Sequence, residues 1–188
     1  MKTGSMVSAF VKACVEITET PIVGISCSKG GSEIAEWLPE TAYYSDALHR
    51  VNMCKKWLTD NGYDIRHSFM VWCQGCTDGD RGTPTDVYKE RTTTVLLDFL
   101  KDAGLDKCFL IQIGNHRDKP ELYVRLQRAQ EELAAENEDI VMVSRLFKTF
   151  AEKGLMKDEF HYLQEGYNLV GAEAGAKVGR FLERDLNK

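Results

Sequence analysis

The side chains with most scope for chemistry sit between Ser68 and Asp80, where Ser-Phe-Met-Val-Trp-Cys-Gln-Gly-Cys-Thr-Asp-Gly-Asp opens in a short apolar run and closes in glycine and aspartate. That order reads as a buried strand emptying into a loop. In a doubly wound α/β sheet ligands bind beyond the carboxyl ends of the strands, which puts Gln74 and Gly75 at the mouth of a site. Cys73 and Cys76 have the spacing of a redox dithiol, but the first thiol of such a pair needs a helix N-terminus to lower its pKa. The run from Thr77 to Pro84 contains Gly79 and Gly82 and is a poor helix start, so both cysteines are expected to be reduced and inessential. A structural zinc site also lacks its parts, since neither a second Cys-x-x-Cys nor a paired-histidine run accompanies the first. Neither a metal nor a cofactor is expected.

These residues need a frame, and the apolar pattern supplies one. Val7, Phe10, Val11, Cys14 and Ile17 recur at helical spacing over residues 5 to 18, and Pro21 ends that helix. Ile22–Cys27 is a β-branched apolar run, hence a buried strand. Ser28-Lys29-Gly30-Gly31-Ser32 follows, where glycine lets backbone approach a ligand closely; no Gly-Lys-Ser/Thr comes after it, so it is not a phosphate loop. From Ser45 to Asn61, Ala47, Val51, Cys54 and Leu58 mark the buried stripe of a helix closed by Gly62. After the Ser68–Cys73 strand, Thr83 is a threonine N-cap with Pro84 at the first helical position, and the helix runs to about Ala103.

Cys108–Ile113 is the third strand. Its loop, Gly114-Asn115-His116-Arg117, brings His116 to the same carboxyl edge as a candidate for substrate contact. Pro120 starts another helix, Ile140–Ser144 is the fourth strand, and residues 164 to 186 form a last helix burying Tyr167, Val170, Ala174, Val178 and Phe181. Strands alternating with helices specify an α/β fold, a parallel sheet covered by helices on both faces through right-handed crossovers.

At 188 residues the chain suits one domain spanning 1–188. A formal charge of −5 leaves no basic face for nucleic acid or anionic membrane, so a small neutral or modestly charged ligand is the easier partner. Six cysteines lying mostly in apolar patterns suit a reducing compartment, and no export segment or stretch of ~20 apolar residues is present, which places the chain in the cytoplasm. Nothing in the pattern sets an oligomeric state.

Three blocks, in order and in register, resemble the sialate O-acetylesterase and carbohydrate esterase family six group of the SGNH (GDSL-like) hydrolases. Trp72-Cys73-Gln74-Gly75-Cys76-Thr77-Asp78 is similar to its Trp-x-Gln-Gly-Glu-Ser-Asp. The strand from Pro21 to Ile25 followed by Gly30-Gly31-Ser32-Glu33-Ile34-Ala35-Glu36-Trp37 is similar to its Gly-Gly-Ser/Thr-x-Ile-x-x-Trp block, and Asp158-Glu159-Phe160-His161 fits its Asp-x-x-His. The resemblance implies an α/β/α sandwich of flavodoxin-like type that hydrolyses acetyl esters on sugars with a Ser-His-Asp set and no metal. By match, His161 is the general base and Asp158 its orienter. Gln74 (side-chain amide) and Gly31 (backbone N–H) are the oxyanion donors, with Gly30 in place of Gly31 if the register shifts by one. Trp37, inside the matched block, and His116, from its place in the loop after the third strand, are the candidate substrate contacts.

Two departures accompany the match. Cys76 stands where the family has glutamate, and no Gly-x-Ser-Asn block carrying the nucleophile occurs; Ser5, Ser28 and Ser32 do not lie in such a motif. Three expectations follow: an O-acetylesterase that has lost its first central strand by N-terminal truncation, a degenerate non-catalytic member that binds an O-acetylated sugar or another partner, or a thiol-disulfide protein using Cys73 and Cys76. Without that strand, Ile22–Cys27 is expected not to ladder with Ser68–Cys73, leaving a slot about 10 Å wide, twice the inter-strand spacing.

Overall fold

Short, nearly continuous apolar runs pair into three parallel strands, β1 (Phe69–Trp72), β2 (Lys107–Ile111) and β3 (Ile140–Ser144), in the order β1-β2-β3. Val71 lies beside Phe109, and Cys108 beside Ile140. This is a computed structural model, and it describes residues 4–186. The helices of those residues are α1 (Val7–Thr18), α2 (Ala42–Asp60), α3 (Cys76–Arg81), α4 (Thr85–Ala103), α5 (Val124–Glu136) and α6 (Gln164–Leu186), with short 3-10 turns at Ile34–Trp37 and Leu146–Thr149.

The two-residue period of the strands divides the core in two. Met70, Trp72, Cys108, Leu110 and Ile140 face α2, α4 and α5, where Tyr88, Leu96 and Leu126 are buried. Phe69, Phe109, Ile111 and Val143 face α1 and α6, against Phe10, Val170, Ala174 and Val178. The α/β class with helices on both faces is therefore present.

α1 and α6 meet almost backbone to backbone because α6 carries glycine every fourth residue on the contact face. A Cβ on Gly171 would lie 2.4 Å from Met6 O, and one on Gly175 2.2 Å from Phe10 O. Gly179 faces Ile17 and Cys14 in the same way.

Several boundaries differ from the sequence reading, and each has a local cause. Ile22–Cys27 is not a buried strand: the segment ladders with nothing, and Val23 and Ile25 are 58% and 38% exposed. A β-branched run becomes a strand only when a neighbour accepts its backbone groups. No ladder joins it to Phe69–Trp72, because it forms no strand and not because a slot parts two strands; the sheet ends at β1, whose outer edge has no strand partner among the described residues. Thr83 does not cap α4, which begins after Pro84; its hydroxyl donates to Asp78 Oδ1 instead (3.0 Å). Pro120 begins a turn, and α5 starts only at Val124. The stretch after Cys76, read as a poor helix start, is helical in α3, with Asp78 in its first turn, Arg81 in its last and Gly82 closing it in the left-handed region.

Candidate active site

All three strands run the same way, so the segments leaving β1, β2 and β3 gather at one edge of the sheet. The segment after β3 folds back through a bridge between Met156 and Tyr162, and Lys157 N–H donates to His161 O (2.8 Å). Inside this tight turn Asp158 Oδ1 accepts the N–H groups of Phe160 (3.1 Å) and His161 (2.7 Å). The same carboxylate faces His161 Nδ1 at 2.9 and 3.1 Å. Partial burial pushes the Asp158 carboxyl up, but the His161 N–H, its ring and the Phe160 N–H outweigh that and hold it at about 2. An ionised Asp158 keeps the proton on Nδ1, leaving Nε2 with a free lone pair on a side chain that is 40% exposed.

Tyr162 anchors this turn from below, stacked on Phe147 at 4.3 Å between ring centroids and edge-on to Phe150 and Tyr167. Arg117 N–H donates to Glu159 O (2.8 Å), so the loop after β2 is tied to the turn. That tie brings His116 within 6.4 Å of the Phe160 ring, whose other neighbour is His161 at 4.7 Å. His116 Nδ1 accepts from Asp118 N–H (3.2 Å). The half-buried His116 and exposed Phe160 thus form a wall beside His161.

At the exit of β1, Gly75 adopts φ 145°, and a Cβ there would lie 2.7 Å from Tyr88 Oη, so only glycine fits. Tyr88 Oη and Gln130 Nε2 both donate to Gln74 O (2.7 and 2.9 Å), fixing the Gln74 backbone. The Gln74 side-chain nitrogen donates to Ser32 O at 3.0 Å and to Asp78 Oδ2 at 2.6 Å. Asp78 is 1% exposed and also accepts Ile34 N–H at 2.9 Å. Gln74 and the Gly30–Ile34 loop are therefore brought together, while Gly30 and Gly31 stand open, with nothing within 4 Å of a built Cβ.

Trp37 is 7% exposed; its Nε1 donates to Ser32 Oγ (2.8 Å), and its ring packs edge-on to Trp72. It supports the Gly-Gly-Ser loop from inside. Ser32 is spent on that bond and on donating to Lys29 O, and the Ser5 hydroxyl accepts Val7 N–H (3.2 Å) while its backbone holds the Gln164 side chain. The residues that sequence reasoning passed over here are Asp78, Tyr88 and Gln130. Asp78 closes the very block in which Gln74 was singled out, whereas Tyr88 and Gln130 carry no local signal, since their partner is a backbone carbonyl far away in sequence.

All six cysteines are free. Burial, then the neighbouring Cys73 and Asp80, raises the Cys76 thiol, and protein packed around Cys73 raises that thiol too, although Cys73 keeps an exposed surface where solvent offsets part of the rise. Dithiol chemistry needs the opposite shift. Among the described residues no three His, Cys, Asp or Glu side chains gather as a metal site, and no helix is long and apolar enough to cross a membrane.

No curated protein matches the chain. Among solved structures, the X-ray structure of a protein from Arabidopsis thaliana is similar with a TM-score of 0.70 at 20% identity, over 92% of this chain and 66% of that one. That likeness carries the fold, and this chain spans slightly less than two thirds of that protein's length. A family model described as carbohydrate esterase, sialic acid-specific acetylesterase, matches residues 3–178, a span that contains all three motif blocks, the Asp158–His161 pair among them. The chain belongs to this sialic acid-specific acetylesterase family of carbohydrate esterases.

Proposed function

We propose that the chain carries the acid-base half of a sugar O-acetylesterase. The observation that supports this most directly is the Asp158–His161 pair, closed at 2.9 Å on Nδ1 with Nε2 free. In this reading His161 Nε2 takes the proton of a serine hydroxyl as its oxygen attacks the acetyl carbonyl. The Gly31 N–H, with Gly30 beside it, and the Gln74 amide receive the developing oxyanion, each such donor contributing on the order of 10²–10³ in rate. Collapse breaks the ester bond, His161 returns the proton to the sugar oxygen, and water repeats the sequence to release acetate. His116, with Phe160 beside it, contacts the sugar, and Trp37 shapes the Gly-Gly-Ser loop that does so.

The sequence has no Gly-x-Ser-Asn block, and Ser32 is buried and engaged. The chain by itself is therefore expected not to turn over p-nitrophenyl acetate efficiently. Extending it before Val7 with an apolar strand and Gly-x-Ser-Asn tests the reading. Acetyl-ester hydrolysis should appear and fall by about 10²–10⁴-fold in His161→Ala. A folded extended chain without turnover, or with turnover indifferent to His161, would sink it.

The engaged Ser32 also favours a second reading, a non-catalytic binder of O-acetylated sugar. Calorimetric binding of such a sugar to a chain that stays inactive after extension distinguishes it.

A further inference from the structure

Gln74 has two side-chain N–H groups, and both are occupied at rest, one on Asp78 Oδ2 (2.6 Å) and one on Ser32 O (3.0 Å). A backbone carbonyl can only accept, so nitrogen rather than oxygen must face Ser32 and Asp78. The side chain forgoes a partner for its buried Oε1 to keep this orientation. The two bonds are unequal. The Asp78 carboxylate is buried and pinned by Ile34 N–H (2.9 Å) and the Thr83 hydroxyl (3.0 Å), so it cannot follow a moving glutamine, and its bond to Gln74 is the shorter and charge-assisted one. The Ser32 bond is longer and joins neutral groups. Cys76 adds no carboxylate, which leaves Asp78 as the one acid bonded to Gln74 among the described residues.

We propose that Asp78 is the positioning residue for Gln74: it retains one amide N–H permanently and leaves the other, parked on the Ser32 carbonyl, as the single side-chain donor that a bound tetrahedral oxyanion can take. The meaning of that oxyanion rests on the acetylesterase reading; the division of the two N–H groups rests on this chain's own contacts. Removing the Asp78 charge lets the amide turn and present Oε1, which repels an anion.

The test follows the two Gln74 side-chain proton resonances of the ¹⁵N-labelled native chain while dimethylphosphinate, a tetrahedral anion without donors, is added. One resonance should shift on saturation while the other stays fixed and slow to exchange. Asp78→Asn should weaken the response about tenfold or more. Thr83→Val loosens the same carboxylate without touching the Gln74 bond, and it should lower thermal stability yet keep the one-sided response. Both protons shifting together, neither shifting, or equal loss of the response in Asp78→Asn and Thr83→Val would overturn the proposal. If Asp78→Asn does not fold, the one-sided response of the native chain still decides. A one-sided response together with an extended chain that hydrolyses nothing would dismiss the esterase reading alone.

Discussion

Asp158 shows how three donors can fix a half-exposed acid. Its carboxyl is held at about 2, below the ordinary value near 4, so its contribution to folding is fully present above pH 4 and is lost as pH falls through about 2. Asp158→Asn removes that contribution at every pH. The difference in melting temperature between native chain and variant, measured from pH 7 downward, should therefore be constant to about pH 4 and close towards pH 2. A gap that stays constant over that range would mean that the carboxylate is not what the turn depends on. The same residue was legible in the sequence as half of Asp-x-x-His, because its partner is only three positions away. Gln130 was not, because its partner lies across the fold, and Asp78, only four positions from Gln74, gave no sign of its role because α3, the helix that presents it, was itself not read.

At the scale of elements, local signals located what local forces decide. α6 occupies the span expected from its apolar stripe, and β3 the span expected from its β-branched run. Ile22–Cys27 has equally strong strand composition and is no strand, because ladder formation depends on a neighbour that composition cannot supply. α3 was obscured by Gly79, whose missing side chain makes room for the Tyr123 ring, a packing reason invisible in sequence. The glycines of α6 lie outside the apolar stripe that marked this helix, yet they set the approach to α1. Gly175→Ala places a methyl 2.2 Å from the Phe10 carbonyl oxygen, a backbone atom unable to rotate away. Alanine improves helix propensity by roughly 0.5–1 kcal/mol, but overpacking costs about 1–3 kcal/mol, so the variant should be less stable by about 1–2 kcal/mol in urea unfolding. An unchanged or higher midpoint would show that the two helices can separate freely.

For the molecule as a whole, the sheet has an open side. The outer edge of β1 has no strand partner among the described residues, Val71 is 37% exposed there, and an open groove of about 600 Å³ lined by Val7, Val11, Lys12, Val15, Glu16 and Ile22 lies along α1. Flat apolar edges recruit other strands unless a charge interrupts them. Val71→Lys should suppress concentration-dependent light scattering while changing stability by no more than about 0.5 kcal/mol. Undiminished scattering would locate the association elsewhere.

The helix pair α1–α6 carries a further consequence, for how the chain comes into being. Ser5 N–H donates to the side chain of Gln164, 159 residues further on. At a synthesis rate of about 5–20 residues per second, roughly 8–30 s pass on the ribosome between the two. Throughout that interval α1 has been made but the glycine face that fits its backbone has not, and Phe10 and Cys14 have no α6 to cover them. The second half of the core can close only after Gly175 and Gly179 have emerged, so between the completion of β3 at Ser144 and that point the nascent sheet lacks the helix that covers its second face.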